Sequence, residues 1–98
     1  MMQNNQISLD LAVIIVNDGK ARKIIKFAKS LGASGATVYY GFGIVKGSKI
    51  MEFLELYNIK KEIVVMINES KLNQHILNKI NDKFKLKKPN HGIAFSIP

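Results

Sequence analysis

The sequence predicts an α+β fold of the order βαββαβ, a four-stranded antiparallel sheet with helices on one face. Three observations predict it. Two segments, 9–16 (LDLAVIIV) and 61–67 (KEIVVMI), are largely apolar on both faces, as the central strands of a sheet are. Two longer stretches carry apolar residues at the 3.6-residue spacing of an amphipathic helix. Two short segments, 36–42 (ATVYYGF) and 92–97, are rich in β-branched and aromatic residues or alternate in polarity, and both are opened by a glycine.

Along the chain, Asn17-Asp18-Gly19 ends the first strand, and Asp18 is the expected N-cap of the helix that follows. In that helix, 20–31, Ala21, Ile24, Ile25, Ala28 and Leu31 form the inward stripe, with Lys20, Lys23, Lys26 and Lys29 on the wet side. Gly32 supplies the left-handed residue that ends it. After the second strand, residues 41–47 (GFGIVKG) must turn. Ser48 can then cap a short helix whose Ile50, Phe53, Leu54 and Tyr57 share a face. The third strand is followed by a helix capped within 68–70 and burying Leu72, Ile76, Leu77, Ile80 and Phe84. A basic loop, 85–91, leads into the last strand, where Ile93, Phe95 and Ile97 alternate with Ala94 and Ser96.

Two right-handed crossovers make this a ferredoxin-like sandwich with the first and third strands central. Two helices cover one face of such a sheet, so the apolar residues of the other face call for a partner subunit. A chain of 98 residues that is 47% hydrophobic builds one core and reads as a single domain, 1–98, with 1–6 expected to be disordered. It stops within its last strand, so it could equally be one half of a longer tandem protein. The absence of cysteine excludes disulfides and thiolate chemistry. The polar start and the lack of a spanning apolar run make a cytoplasmic protein, without membrane insertion, the expectation. His75 and His91 are isolated, no carboxylates pair at helical spacing, and neither a metal site nor an enzyme is expected. The net charge of +8 favours an anionic partner, although 14 of the 15 basic residues are lysine, which is poor equipment for reading bases.

Several pieces in this order resemble the nitrogen-regulatory P-II signalling family. They are Gly35-Ala36-Thr37-Val38, the Gly41-Phe42-Gly43 segment, Lys60-Lys61-Glu62-Ile63-Val64-Val65, and the ending Gly92-Ile93-Ala94-Phe95-Ser96-Ile97-Pro98. The resemblance implies a three-fold symmetric homotrimer with its sheets facing inward, and adenine nucleotide (ATP or ADP) held in clefts between subunits. It implies a sensor without catalysis, whose ligand selects a protein target, in nitrogen metabolism. Two departures bear on the ligand. Residues 43–60 are too few for the family's long target-contacting loop, so 2-oxoglutarate, which that loop helps to bind, is not carried over with the nucleotide. The phosphate loop is replaced by Lys87-Lys88-Pro89-Asn90-His91-Gly92, in which Gly92 alone matches a family glycine.

The candidate ligand residues are therefore Thr37, Gly41, Gly43, Lys60, Lys88, His91 and Gly92. Lys88, His91 and Gly92 offer charge, a ring donor and close backbone approach, the parts of a phosphate cradle, though a solvated basic loop looks the same in sequence. Either Gly41 or Gly43 can match the glycine that opens the family's loop. Lys60 and Thr37 fall at family ligand positions; a surface salt bridge of Lys60 with Glu62, and a plain strand threonine, are the ordinary alternatives. Two rivals from other classes remain. One is a nucleic-acid-binding module, since RNA-recognition domains share this strand order, although the central strands here lack the aromatics on which bases stack. The other is an oligomerisation domain with no ligand.

Overall fold

The computed structural model describes residues 8–42, 60–88 and 91–98. Its elements are β1 (Leu9–Asn17), α1 (Ala21–Ser30), β2 (Thr37–Phe42), β3 (Lys60–Glu69), α2 (Ser70–Phe84) and β4 (Ile93–Ile97). They form one antiparallel sheet in the order β2-β3-β1-β4, with the two expected strands at its centre. The long register between β1 and β3 runs from Leu9 opposite Glu69 to Asn17 opposite Lys61. The disorder expected at 1–6 and the helix expected at 48–57 lie outside the described residues. Among the described residues, no helix is long and apolar enough to cross a membrane.

Strand alternation sorts the sheet into two chemically different faces. Ala12, Ile14 and Val16 of β1 and Val64 and Met66 of β3 point toward the helices and are buried. They meet Ala21, Ile24 and Ala28 of α1 and Ile76, Leu77 and Ile80 of α2, which is the core that the helical spacing predicted. Leu11, Val13 and Ile15, with Ile63, Val65 and Ile67, occupy the other face. There β4 adds Ile93, Phe95 and Ile97 and β2 adds Tyr39. Ile67 and Ile93 are each 60% exposed, because nothing among the described residues covers this side.

The helix ends are set by tertiary contacts as much as by local signals. At the end of α1, the Ala33 N–H reaches back to the Ala28 carbonyl and the Gly32 N–H to Lys29 (both 3.1 Å), with Gly32 at φ +116°. This is the Schellman closure expected of that glycine. At the start of α1, Asp18 does not cap. The turn in which the Lys20 N–H bonds the Asn17 carbonyl (3.2 Å) makes Lys20 the N-cap residue and leaves Asp18 too early in the chain. The Ala21 N–H is taken instead by Oε1 of Glu62, at 2.8 Å, from near the start of β3. Nor does a side chain from 68–70 cap α2. The Ser70 N–H and hydroxyl both donate to the Ser8 carbonyl (2.9 and 3.0 Å), tying the helix start to the chain before β1.

Within α2, one buried residue breaks the apolar pattern. Asn73 of α2 is fully buried within the inward stripe; its Oδ1 accepts from Asn68 Nδ2 and its Nδ2 donates to the Ser96 hydroxyl, both at 3.0 Å. The amide thereby joins α2 to β3 and β4, and burying it costs little because its bonds are made.

Candidate functional site

Antiparallel pairing brings the end of β2, the start of β3, the end of β1 and the start of β4 to the same edge of the sheet. Asn17, Asp18, Lys60 and Lys61 meet there. Lys61 Nζ donates to Asn17 Oδ1 at 2.6 Å. Lys60 Nζ lies 3.9 Å from Asp18 Oδ1 and 5.5 Å from the centre of the Tyr40 ring. The expected Lys60–Glu62 pair does not form: Glu62 lies on the helix-facing side of β3 and is turned under α1, where Ala21 needs an acceptor.

Two clefts flank the N-terminus of α1. The first, of about 350 Å³, is lined by Val16, Asn17, Lys20, Ile24, Phe84, Leu86 and His91. It combines an apolar floor with an ammonium and an imidazole at its rim. His91 Nδ1 lies 3.3 Å from the Phe84 carbonyl oxygen, a contact that requires a proton on Nδ1 and so leaves Nε2 as an acceptor in the neutral ring. The second cleft, of about 540 Å³, is lined by Gly19, Ala21, Arg22, Ile25, Val38, Tyr40 and Glu62. Lys20 and Arg22 escape a reading based on the loop before β4. Their sequence signal is a strand ending in Asn17-Asp18-Gly19 and running straight into a helix.

The candidate residues fall into separate groups. Lys88 and His91 lie together on the turn after α2, where the His91 N–H bonds the Lys88 carbonyl at 3.3 Å. Gly92 follows at φ +131°, and a Cβ there would stand 2.6 Å from the Ile15 carbonyl oxygen. Its lack of a side chain is therefore used by the fold itself, to let β4 dock on β1. Gly41, opposite Lys61, shares the sheet edge with Gly92, but β3 and β1 lie between their strands. Three strand spacings separate the two glycines by about 14 Å. Thr37 is opposite Val65 at the far end of β2, exposed on the open face. Gly43 lies outside the described residues.

No family model matches the chain, and no curated protein matches it in sequence. Solved structures do match. A P-II-like signalling protein from Thermus thermophilus superimposes with a TM-score of 0.68 at 19% identity, over 92% of this chain and 84% of that one. The fold is that of the P-II signalling proteins. P-II of Arabidopsis thaliana, solved with citrate bound, aligns equally widely, with a TM-score of 0.69 at 16% identity over 95% of this chain and 78% of its own. The P-II fold thus accounts for the strand order and for the helices gathered on one side of the sheet.

The Glu62 contact yields a stability prediction. Glu62→Ala leaves the first N–H of α1 unpaired in a buried position and should cost about 1–2 kcal/mol. For a domain of this size that lowers Tm by roughly 4–15 °C. Glu62→Gln keeps an oxygen acceptor and should recover most of the loss. Thermal denaturation of both variants checks the account, which fails if the two are equally destabilised.

Proposed function

We propose that the chain is a P-II-like regulatory protein that assembles as a homotrimer through its open sheet face. It would take a small anionic ligand, an adenine nucleotide, in clefts between subunits, and so control a partner protein in nitrogen metabolism. One observation carries this reading: a P-II fold whose helix-free face presents a continuous apolar surface from β2 to β4. Such a face needs a partner, and identical faces closing around an axis supply one. The placement of the candidate residues supports ligand binding at the boundary. Gly41 and Gly92 stand on opposite edge strands, so a cleft using both must combine the β2 edge of one subunit with the β4 edge of the next. Lys20 and Lys88 would give that cleft its positive charge, as point charges around an anion held mainly by backbone amides. The role requires no covalent step.

The test is calorimetric titration of the full chain with ATP, ADP, citrate and 2-oxoglutarate, alongside thermal shifts. A nucleotide should bind, and Lys88→Ala should weaken it by roughly tenfold, the worth of one charged contact, without altering the assembly. Absence of any nucleotide effect at millimolar concentration would refute the ligand assignment and leave an assembly domain.

A further inference from the structure

The charge of this protein is concentrated on one side. Residues 20–31 and 70–88, which build the helical layer and the turn after α2, hold eleven of the 15 basic residues and, in Asp82, one of the 7 acidic ones. That layer carries a formal +10 and the rest of the chain −2, against the total of +8. All eleven basic side chains are exposed. Helix α1 bears Arg22, Lys23, Lys26 and Lys29 with no carboxylate of its own to relieve them. Mutual repulsion on this scale is a standing cost to the folded state, and an anionic partner would remove it.

Within this field lies a cleft of about 360 Å³ between the outer edges of α1 and α2, lined by Lys23, Lys26, Phe27, Ser30, Lys83 and Phe84. Its floor is apolar. The Phe27 and Phe84 rings meet edge to face, with centroids 6.0 Å apart at 72°, and Lys83 Nζ stands 5.1 Å from the Phe27 centroid. We propose that this cleft is the docking site for an acidic peptide segment of a partner protein, an apolar side chain seated on Phe27 and Phe84 and flanking carboxylates on Lys23, Lys26 and Lys83. The volume suits one or two side chains, and the charge sets the sign of what surrounds them. A nucleic-acid strand fits less well, because the two rings meet edge to face and offer no parallel platform for bases. A bilayer fits less well too, since inserting into lipid takes apolar side chains that project beyond the lysines, and here they are recessed behind them. The surface lies on the helix side, away from the open sheet face, so it stands whether or not the trimer forms.

The experiment follows fluorescence anisotropy of a short fluorescein-labelled peptide carrying glutamates on both sides of a Leu-Phe pair, titrated with the full chain. Replacing Leu-Phe by Ser-Ser should weaken binding by roughly tenfold or more, as should replacing the glutamates by glutamine. The double variant Lys23→Glu/Lys26→Glu should do the same, by reversing two rim charges on exposed positions that the core does not use. Circular dichroism and nucleotide affinity of that variant should be unchanged, which separates this site from the proposed nucleotide cleft. Equal affinity for the Ser-Ser peptide would overturn the proposal, as would insensitivity to the double reversal. Tighter binding of a single-stranded oligonucleotide, or of phosphatidylserine vesicles, than of the Leu-Phe peptide would likewise overturn it.

Discussion

Gly92→Ala should unfold or severely weaken this domain, whereas Gly19→Ala should be mild, although both glycines have positive φ. At Gly19, with φ +92°, an added Cβ meets nothing within 4 Å, so alanine suffers backbone strain alone, about 1 kcal/mol. At Gly92, with φ +131°, the same methyl group stands 2.6 Å from the Ile15 carbonyl oxygen and 2.9 Å from Val16 Cγ1. Neither neighbour can yield. Ile15 belongs to a central strand paired on both sides, with Ile63 and with Ile93, and Val16 is part of the core. Relief requires β4 to lift from β1, which also breaks the contact of Ser96 with buried Asn73. Strain plus a broken strand edge puts the loss at about 3–5 kcal/mol, a large share of the stability of any small domain. Tm should fall by roughly 12–40 °C. Urea or thermal denaturation of the two variants decides it: an effect at Gly92 no larger than at Gly19 would mean that β4 does not dock as closely as described. The same geometry makes substitution at Gly92 a poor test of ligand binding, for which Lys88 is the better position.

Much of this architecture is legible from periodicity, because the pattern follows burial directly. Strands β1 and β3 read as central since both of their faces are apolar, and α1 reads as a helix because Ala21, Ile24 and Ala28 recur at its period. Signals that depend on distant partners are not legible. Glu62 reads as an exposed strand residue beside Lys60, yet it caps a helix 41 positions away. Asp18 reads as the cap because it follows a strand and precedes a helical stripe; one extra residue of turn hands it to Lys60 instead. Asn73 is more instructive, since 73, 76, 77 and 80 complete the helical spacing and its position is therefore visible. Its acceptability in the core is not, because Ser96, which accepts from it, lies 23 residues on, in β4. The site divides in the same way. Antiparallel order with the first and third strands central already places Gly41 and Gly92 on opposite sides of the sheet, but only the structure reveals that Gly92 is bare so that β4 can dock on β1.

That separation bears on the second large effect, Val65→Glu, which should convert the proposed trimer to a folded monomer. Val64 and Val65 are neighbours of opposite fate: Val64 is fully buried beneath the helices, while Val65 stands on the open face between Val13 and Thr37. A carboxylate at Val64 would lie in the core of the single chain, and that variant should not fold. At Val65 the carboxylate of a monomer meets water, so secondary structure should survive. In the trimer the three carboxylates would be buried near the symmetry axis, each unpaired and each repelled by the other two, a cost that the apolar contact of the face cannot offset. Sedimentation equilibrium at micromolar concentration should show a trimer for the natural chain and a monomer for Val65→Glu, with unchanged circular dichroism. A natural chain that stays monomeric, or a variant that stays trimeric, would refute assembly through the open face. Nucleotide binding supplies the cross-check. Because Gly41 and Gly92 lie about 14 Å apart within one chain, the proposed cleft that uses both would lie between subunits. The monomeric variant should therefore lose nucleotide affinity although none of its candidate ligand residues has been changed.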